Sequence, residues 1–134
     1  MVAAASPERA LAHFSSRLEF ETDCWDVHHD LATVGPAFVL LDVRGAESFD
    51  RGHLPGAVNL PVDRIDEQSL AGWSCDTLFV VYCSGPHCNA ADRAAARLAR
   101  LGRAVKKMIG GVEGWRDSGY ELTTEPSSAT VSGA

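Results

Sequence analysis

Two short, almost uncharged stretches limit the architectures open to this chain. Ala37-Phe38-Val39-Leu40-Leu41-Asp42-Val43 and Leu78-Phe79-Val80-Val81-Tyr82-Cys83 are apolar at successive rather than alternate positions, and turn residues bound both. A strand that is apolar on both faces must be covered on both, which is the situation of a parallel sheet layered between helices. The flanking patterns agree. Ser6-Pro7-Glu8 reads as an N-cap, a first-turn proline and an early acid, opening a helix to about Leu18 with Leu11, Phe14 and Leu18 on one face. Thr22 or Asp23 can cap a second helix with a buried stripe of Val27, Leu31 and Val34, stopped by Gly35-Pro36. Between the two strands the pattern predicts a short helix over Ala46 to Asp50, a small strand over Ala57 to Leu60 and a helix around Val62 to Ala71. After Cys83 come a loop, an alanine-rich helix from Ala90 to Leu101 closed by Gly102, and a strand from Ala104 to Ile109. Alternating strands and helices of this kind predict an α/β fold with a mainly parallel central sheet flanked by helices.

At 134 residues, 46% apolar and 22% charged, the chain suits one globular domain rather than a disordered or fibrous one. Its formal charge of −6 argues against nucleic acid as a partner. The total hides a split, because Ala90 to Met108 holds six basic residues (Arg93, Arg97, Arg100, Arg103, Lys106, Lys107) against Asp92 alone. That local +5 leaves −11 on the rest. The uncharged run Leu31 to Leu41 is far shorter than the roughly 20 residues a membrane span requires, and Met1 to Ser6 lacks a basic leader region. We therefore expect no membrane association and a cytoplasmic location. There the four cysteines (Cys24, Cys75, Cys83, Cys88) should be mostly reduced. A metal site is not expected, since Cys83 and Cys88 have no second close pair to complete a tetrahedral set.

Chemistry concentrates in Cys83-Ser84-Gly85-Pro86-His87-Cys88-Asn89, the turn between the second strong strand and the basic helix. In a parallel α/β sheet, ligands bind beyond the carboxyl ends of the strands, where Cys83 lies. Gly85 tolerates positive φ, Pro86 fixes φ and Asn89 is a good N-cap, so the loop is expected to curl and aim several backbone N–H groups inward beside the positive end of the helix. Such a cradle suits an anion, and should lower a thiol's pKa from its usual value of roughly 8.5. The alternative is that Cys83 is a small buried hydrophobe ending a strand.

Three blocks together resemble the rhodanese sulfurtransferase domain. They are Leu40-Leu41-Asp42-Val43-Arg44 with Glu47 and Phe49; Gly52-His53-Leu54-Pro55-Gly56-Ala57-Val58-Asn59-Leu60-Pro61; and Val80 to Asn89 with Gly110-Gly111-Val112-Glu113-Gly114-Trp115. The resemblance implies a rhodanese-like three-layer domain over residues 22–122, preceded by a helical extension (1–21) and followed by a loose tail (123–134). It also implies a sulfurtransferase in which Cys83 takes sulfane sulfur from a donor such as thiosulfate or a related anion, becomes a persulfide, and passes the sulfur to cyanide, a thiol or a protein cysteine. No cofactor is implied. The substrate-binding candidates are Ser84, Gly85, Pro86, His87, Cys88, Asn89, Arg93 and Arg44. Arg44 is expected to pair with Glu47, His53 to be a satisfied turn histidine, Trp115 to be a core tryptophan, and Gly110 and Gly111 to shape the pocket wall.

The loop departs from the plainest pattern of that family by being slightly longer, with Pro86 and a second cysteine. It contains no Lys or Arg, so an anionic donor must be held by backbone N–H groups, by protonated His87 or by Arg93. Cys88 is expected to face the core at the helix start; the sharper alternative makes it a resolving cysteine that forms an internal disulfide with Cys83. Related phosphatase or arsenate-reducing chemistry needs an arginine six places after the nucleophile, where this chain has Asn89. A non-enzymatic binding or regulatory module, or a protein sulfur carrier, is the remaining alternative.

Overall fold

The computed structural model describes residues 1–33 and 37–126. In chain order the elements are α1 (Pro7–Phe20), β1 (Glu21–Thr22), α2 (Cys24–Leu31), β2 (Val39–Asp42), α3 (Ala46–Arg51), β3 (Val58–Asn59), a 3-10 turn (Val62–Arg64), β4 (Leu78–Tyr82), α4 (Ala90–Arg100), β5 (Ala104–Met108) and α5 (Gly111–Asp117). The five strands form one sheet in the order β1-β5-β4-β2-β3, and every pairing is parallel.

Side chains alternate across a strand, so each apolar run feeds two cores. From β2 and β4, Leu41, Phe79 and Val81, with Val43 and Cys83 just beyond the strand ends, enter one core with Ala91, Ala94 and Leu98 of α4. Leu40, Val80 and Tyr82 enter the other, beneath Cys24 and Val27 of α2, Phe49 of α3 and Trp115 of α5. The result is the expected three-layer α/β arrangement with a fully parallel sheet.

Capping holds α1 and α2 where the sequence places them. Ser6 Oγ accepts from the Arg9 N–H at 3.3 Å and Asp23 Oδ1 accepts from the Asp26 N–H at 2.9 Å. Other expectations need correction. No residue of α1 is buried, and Leu11, Phe14 and Leu18 are 71%, 58% and 72% exposed. Both sheet faces are already filled by other elements, so the apolar stripe of α1 faces outward. The expected helix from Val62 to Ala71 is a 3-10 turn followed by a reciprocal bond pair, in which the Ser69 N–H donates to Asp66 Oδ1 (2.7 Å) and the Asp66 N–H to Ser69 Oγ (3.0 Å). Short polar side chains of this kind compete with helical backbone bonding. Val34 and the Gly35-Pro36 stop lie outside the described residues. Thr123, expected in a loose tail, exchanges two backbone bonds with His53, at 2.8 and 2.9 Å.

Candidate functional site

The site is built at the carboxyl ends of β4 and β5. Cys83 directly follows β4, and the turn after β5 brings Gly110 and Gly111 against it. The N-terminus of α5 clamps the cysteine loop, with the Val112 N–H donating to Cys83 O (3.0 Å) and the Glu113 N–H to Ser84 O (2.8 Å). Gly111 makes this approach feasible. Its φ is +61°, and a Cβ there would stand 2.6 Å from Cys83 O and 2.8 Å from Gly85 N. Gly85 does not use the positive φ that the sequence suggested. It keeps room instead, since a Cβ would meet the Glu113 carboxylate at 2.5 Å.

Within the loop the Cys88 N–H donates to Gly85 O at 3.1 Å, curling the chain until the Cα atoms of Cys83 and Cys88 are 6.6 Å apart and their sulfurs are joined in a disulfide. This corrects the expectation of reduced thiols at these two positions. Cys88 does pack, half-buried, against the core under α4, but its sulfur turns to Cys83. That sulfur also accepts from the Ala90 N–H at 3.4 Å, whereas Asn89, the expected cap of α4, makes no side-chain capping bond. The N–H groups of Ser84, Gly85 and His87 have no partner among the described residues. Ser84, Pro86, His87 and Asn89 are exposed and Gly85 is buried.

A cleft of about 310 Å³ opens over the disulfide, lined by Cys83, Gly85, Pro86 and Cys88 on one side and Met108 to Gly111 on the other. Arg17 and Glu21 from the chain's N-terminal part and Lys107 of β5 complete it. Both cations carry a partner: Arg17 pairs with Glu21 at 3.0 Å and Lys107 with Asp92 at 3.1 Å. Sequence reasoning missed them because they lie far from Cys83 along the chain. The readable signal was the alternation of β5, which sets Lys107 in register with Val81, two residues before Cys83.

The other candidates lie elsewhere. Arg93 lines a separate groove with Val62, Ala96, Arg97 and Arg100. Arg44 pairs with Asp42 and not with Glu47, which is exposed. The Arg44 guanidinium donates to both Asp42 oxygens (2.7 to 3.2 Å) and to Gly52 O (2.7 Å), leaving it no part in the cleft. Tyr82 Oη donates to Asp42 Oδ2 at 2.7 Å and accepts from the Leu54 N–H at 3.1 Å. Burial, then the charge of Asp42, pushes the Tyr82 phenol above its ordinary range, so it remains a donor. Burial opposes the charge on Arg44, but the hydrogen bond and charge of Asp42 outweigh it and raise its pKa. This hub ties β2, β4 and the turn at Gly52 together beneath the site.

His53 is buried, with Nδ1 2.7 Å from Phe49 O, and is the satisfied histidine the turn predicted. Trp115 is a core residue on the sheet face opposite Cys83, its Nε1–H donating to Glu121 O at 2.9 Å. Cys24 lies behind the cleft wall, its thiol 3.6 Å from Ile109 O and 3.7 Å from Gly111 O. Burial, then the nearby Asp23 charge, pushes its pKa up to about 11, so it stays a protonated thiol. Among the described residues no cluster of three His, Cys, Asp or Glu could hold a metal ion, and no helix is long and apolar enough to cross a membrane.

The family model for the rhodanese-like domain matches residues 26–118, which contain β2 to α5 and the whole cysteine loop. The chain belongs to the rhodanese-like family. A solved structure of the BH2092 protein from Bacillus halodurans superimposes on this rhodanese-like chain with a TM-score of 0.85 at 36% identity, covering 88% of this chain and 86% of that one. The rhodanese-like domain of the Alr3790 protein from Anabaena shares the fold at 24% identity, with a TM-score of 0.69 over 82% of this chain and 83% of its own. Among curated proteins, the HTH-type transcriptional regulator Rv0324 of Mycobacterium tuberculosis is 41% identical over 84 residues, 62% of this chain. YrkF of Bacillus subtilis, whose name reads "Putative sulfur carrier protein", is 30% identical over 78 residues, 58% of this chain. The matched stretches are 36% and 40% of those two proteins, so the chain spans less than half the length of each. The helix α1 and its Arg17 lie before the family match.

Proposed function

We propose that the chain is a sulfurtransferase that carries sulfane sulfur on Cys83. The observation that supports this best is the placement of Cys83 at the end of a central strand, in a loop whose Ser84, Gly85 and His87 N–H groups have no hydrogen-bond partner among the described residues. In the reduced protein the Cys83 thiolate attacks the outer sulfur of a small anionic donor such as thiosulfate. The donor S–S bond breaks, sulfite leaves with the electron pair, and Cys83 becomes a persulfide. The loop N–H groups stabilise negative charge on the outer sulfur, as an oxyanion hole stabilises oxygen. An acceptor then attacks that outer sulfur and regenerates the thiolate; cyanide yields thiocyanate. Arg17 and Lys107, each paired with a carboxylate, are the cationic side chains that line the cleft. Similarity to YrkF, named a putative sulfur carrier protein, supports a chain that carries sulfur as much as it catalyses its transfer.

The test is to reduce the chain fully, remove the reductant and add thiosulfate. In the Cys88→Ser chain a mass gain of one sulfur on Cys83 is expected, lost on adding cyanide with release of thiocyanate, and absent when Cys83→Ser is added to that chain. No adduct from thiosulfate, a glutathione persulfide or mercaptopyruvate overturns the proposal.

A further inference from the structure

Resting on Cys83 as the persulfide-bearing nucleophile, we infer that Cys88 is a second reacting residue, which resolves the Cys83 persulfide internally and expels its outer sulfur as hydrosulfide. The loop already holds the product of that step, since Cys83 and Cys88 are joined across a curl closed by the bond from the Cys88 N–H to Gly85 O. Both residues line the same cleft, so the sulfur of Cys88 and any atom carried on Cys83 share one space. Cys88 lies two residues before the first residue of the 11-residue helix α4, and its sulfur accepts the Ala90 N–H at 3.4 Å. The two free cysteines cannot take this part. Cys24 is buried behind the Gly110 wall with its pKa pushed up to about 11, and Cys75 is an exposed residue absent from the cleft lining.

The chemistry closes without an added oxidant. The Cys88 sulfur attacks the inner sulfur of the persulfide, the Cys83 Sγ. The Sγ–Sγ bond forms as the bond from Cys83 Sγ to the outer sulfur breaks, and the outer sulfur leaves with the electron pair. It takes up the proton that Cys88 gives up and departs as hydrosulfide. The sulfane sulfur is reduced, and the two cysteine sulfurs together supply the two electrons. A dithiol reductant resets the loop by thiol–disulfide exchange. Over a full cycle thiosulfate and a dithiol become sulfite, hydrogen sulfide and a disulfide. Cys88 thus sets a branch point: a persulfide met promptly by an acceptor hands its sulfur on, and one left waiting releases it in reduced form.

The experiment is a single anaerobic turnover of the full chain, pre-reduced and freed of reductant, with thiosulfate and separately with glutathione persulfide. Hydrosulfide, free thiols and intact mass are followed in wild type, Cys88→Ser and Cys88→Ala, the alanine variant retaining an apolar group at this half-buried position. Wild type is expected to release one equivalent of hydrosulfide, lose two thiols and end two hydrogens lighter. Both variants are expected to hold the sulfur adduct on the order of tenfold longer or more and still pass it to cyanide. A wild-type adduct as durable as that of the variants overturns the role of Cys88 while leaving Cys83 as a sulfurtransferase. Absence of an adduct in both variants, with no hydrosulfide from wild type, overturns both readings. Hydrosulfide release at the wild-type rate from both variants in the same reductant-free turnover also overturns the inference.

Discussion

Arg44 and Asp42 show how residue type and residue role can separate. In a family pattern shared with the cysteine loop, an arginine invites assignment to an anionic substrate. Its guanidinium instead meets a carboxylate with no solvent exposure, and the same carboxylate accepts from Tyr82. Removing one member of a buried pair leaves the other charge uncompensated, at a typical cost of about 3–5 kcal/mol. Arg44→Leu is therefore expected to lower stability by about that much in urea unfolding, while the folded fraction still loads sulfur on Cys83 at the wild-type rate. Unchanged stability with a loss of loading would return Arg44 to the substrate. The Asp-Val-Arg spacing was readable in the sequence. The partner was not, because the choice between Asp42 and Glu47 depends on which side chain the sheet buries.

Among the elements, the strongest sequence signals were those with burial on both sides. The runs that became β2 and β4, and the alanine-rich α4 with its glycine stop, lie where the pattern put them. β1 went unread because a two-residue strand has no period to detect. α5 went unread because Gly110, Gly111 and Gly114 hide a helix whose purpose is close approach to the cysteine loop. Gly111→Ala tests that purpose. The added methyl faces loop backbone at 2.6 to 2.8 Å and a φ of +61°, so the loop must move. We expect a loss of about 2–4 kcal/mol in stability, from strain and overpacking together, and slower sulfur loading on Cys83. A variant as stable and as fast as wild type would show that the loop does not depend on this contact. The disulfide itself was present in the sequence only as a spacing, and the spacing does not reveal that the curl through Gly85 O turns Cys88 inward.

For the whole molecule, the basic stretch divides into three. Arg103 is occupied by the carbonyls of Leu70, Trp73 and Ser74, and Lys106 by that of Leu18. Lys107 reaches the cleft, and Arg93, Arg97 and Arg100 share a groove of their own. Charge beyond roughly 8 Å is largely screened at physiological salt, so the cleft cations should dominate donor binding. In steady-state thiocyanate formation, Arg17→Gln is expected to raise the thiosulfate KM ~3- to 10-fold with kcat little changed, the loss of one contact of about 1 kcal/mol. Replacing Arg93, Arg97 and Arg100 together by Gln should leave KM within about twofold of wild type. The reverse pattern would move the anion site to α4.

The sheet ends on each side in a strand of two residues, β1 and β3. Longer flat edges present rows of unpaired amides on which another chain can add a strand. Here the long strands β2, β4 and β5 all lie inside the sheet, and each border is too short to template growth. The brevity of these two strands, a weakness for reading the fold from sequence, thus serves the protein as protection against edge-to-edge aggregation.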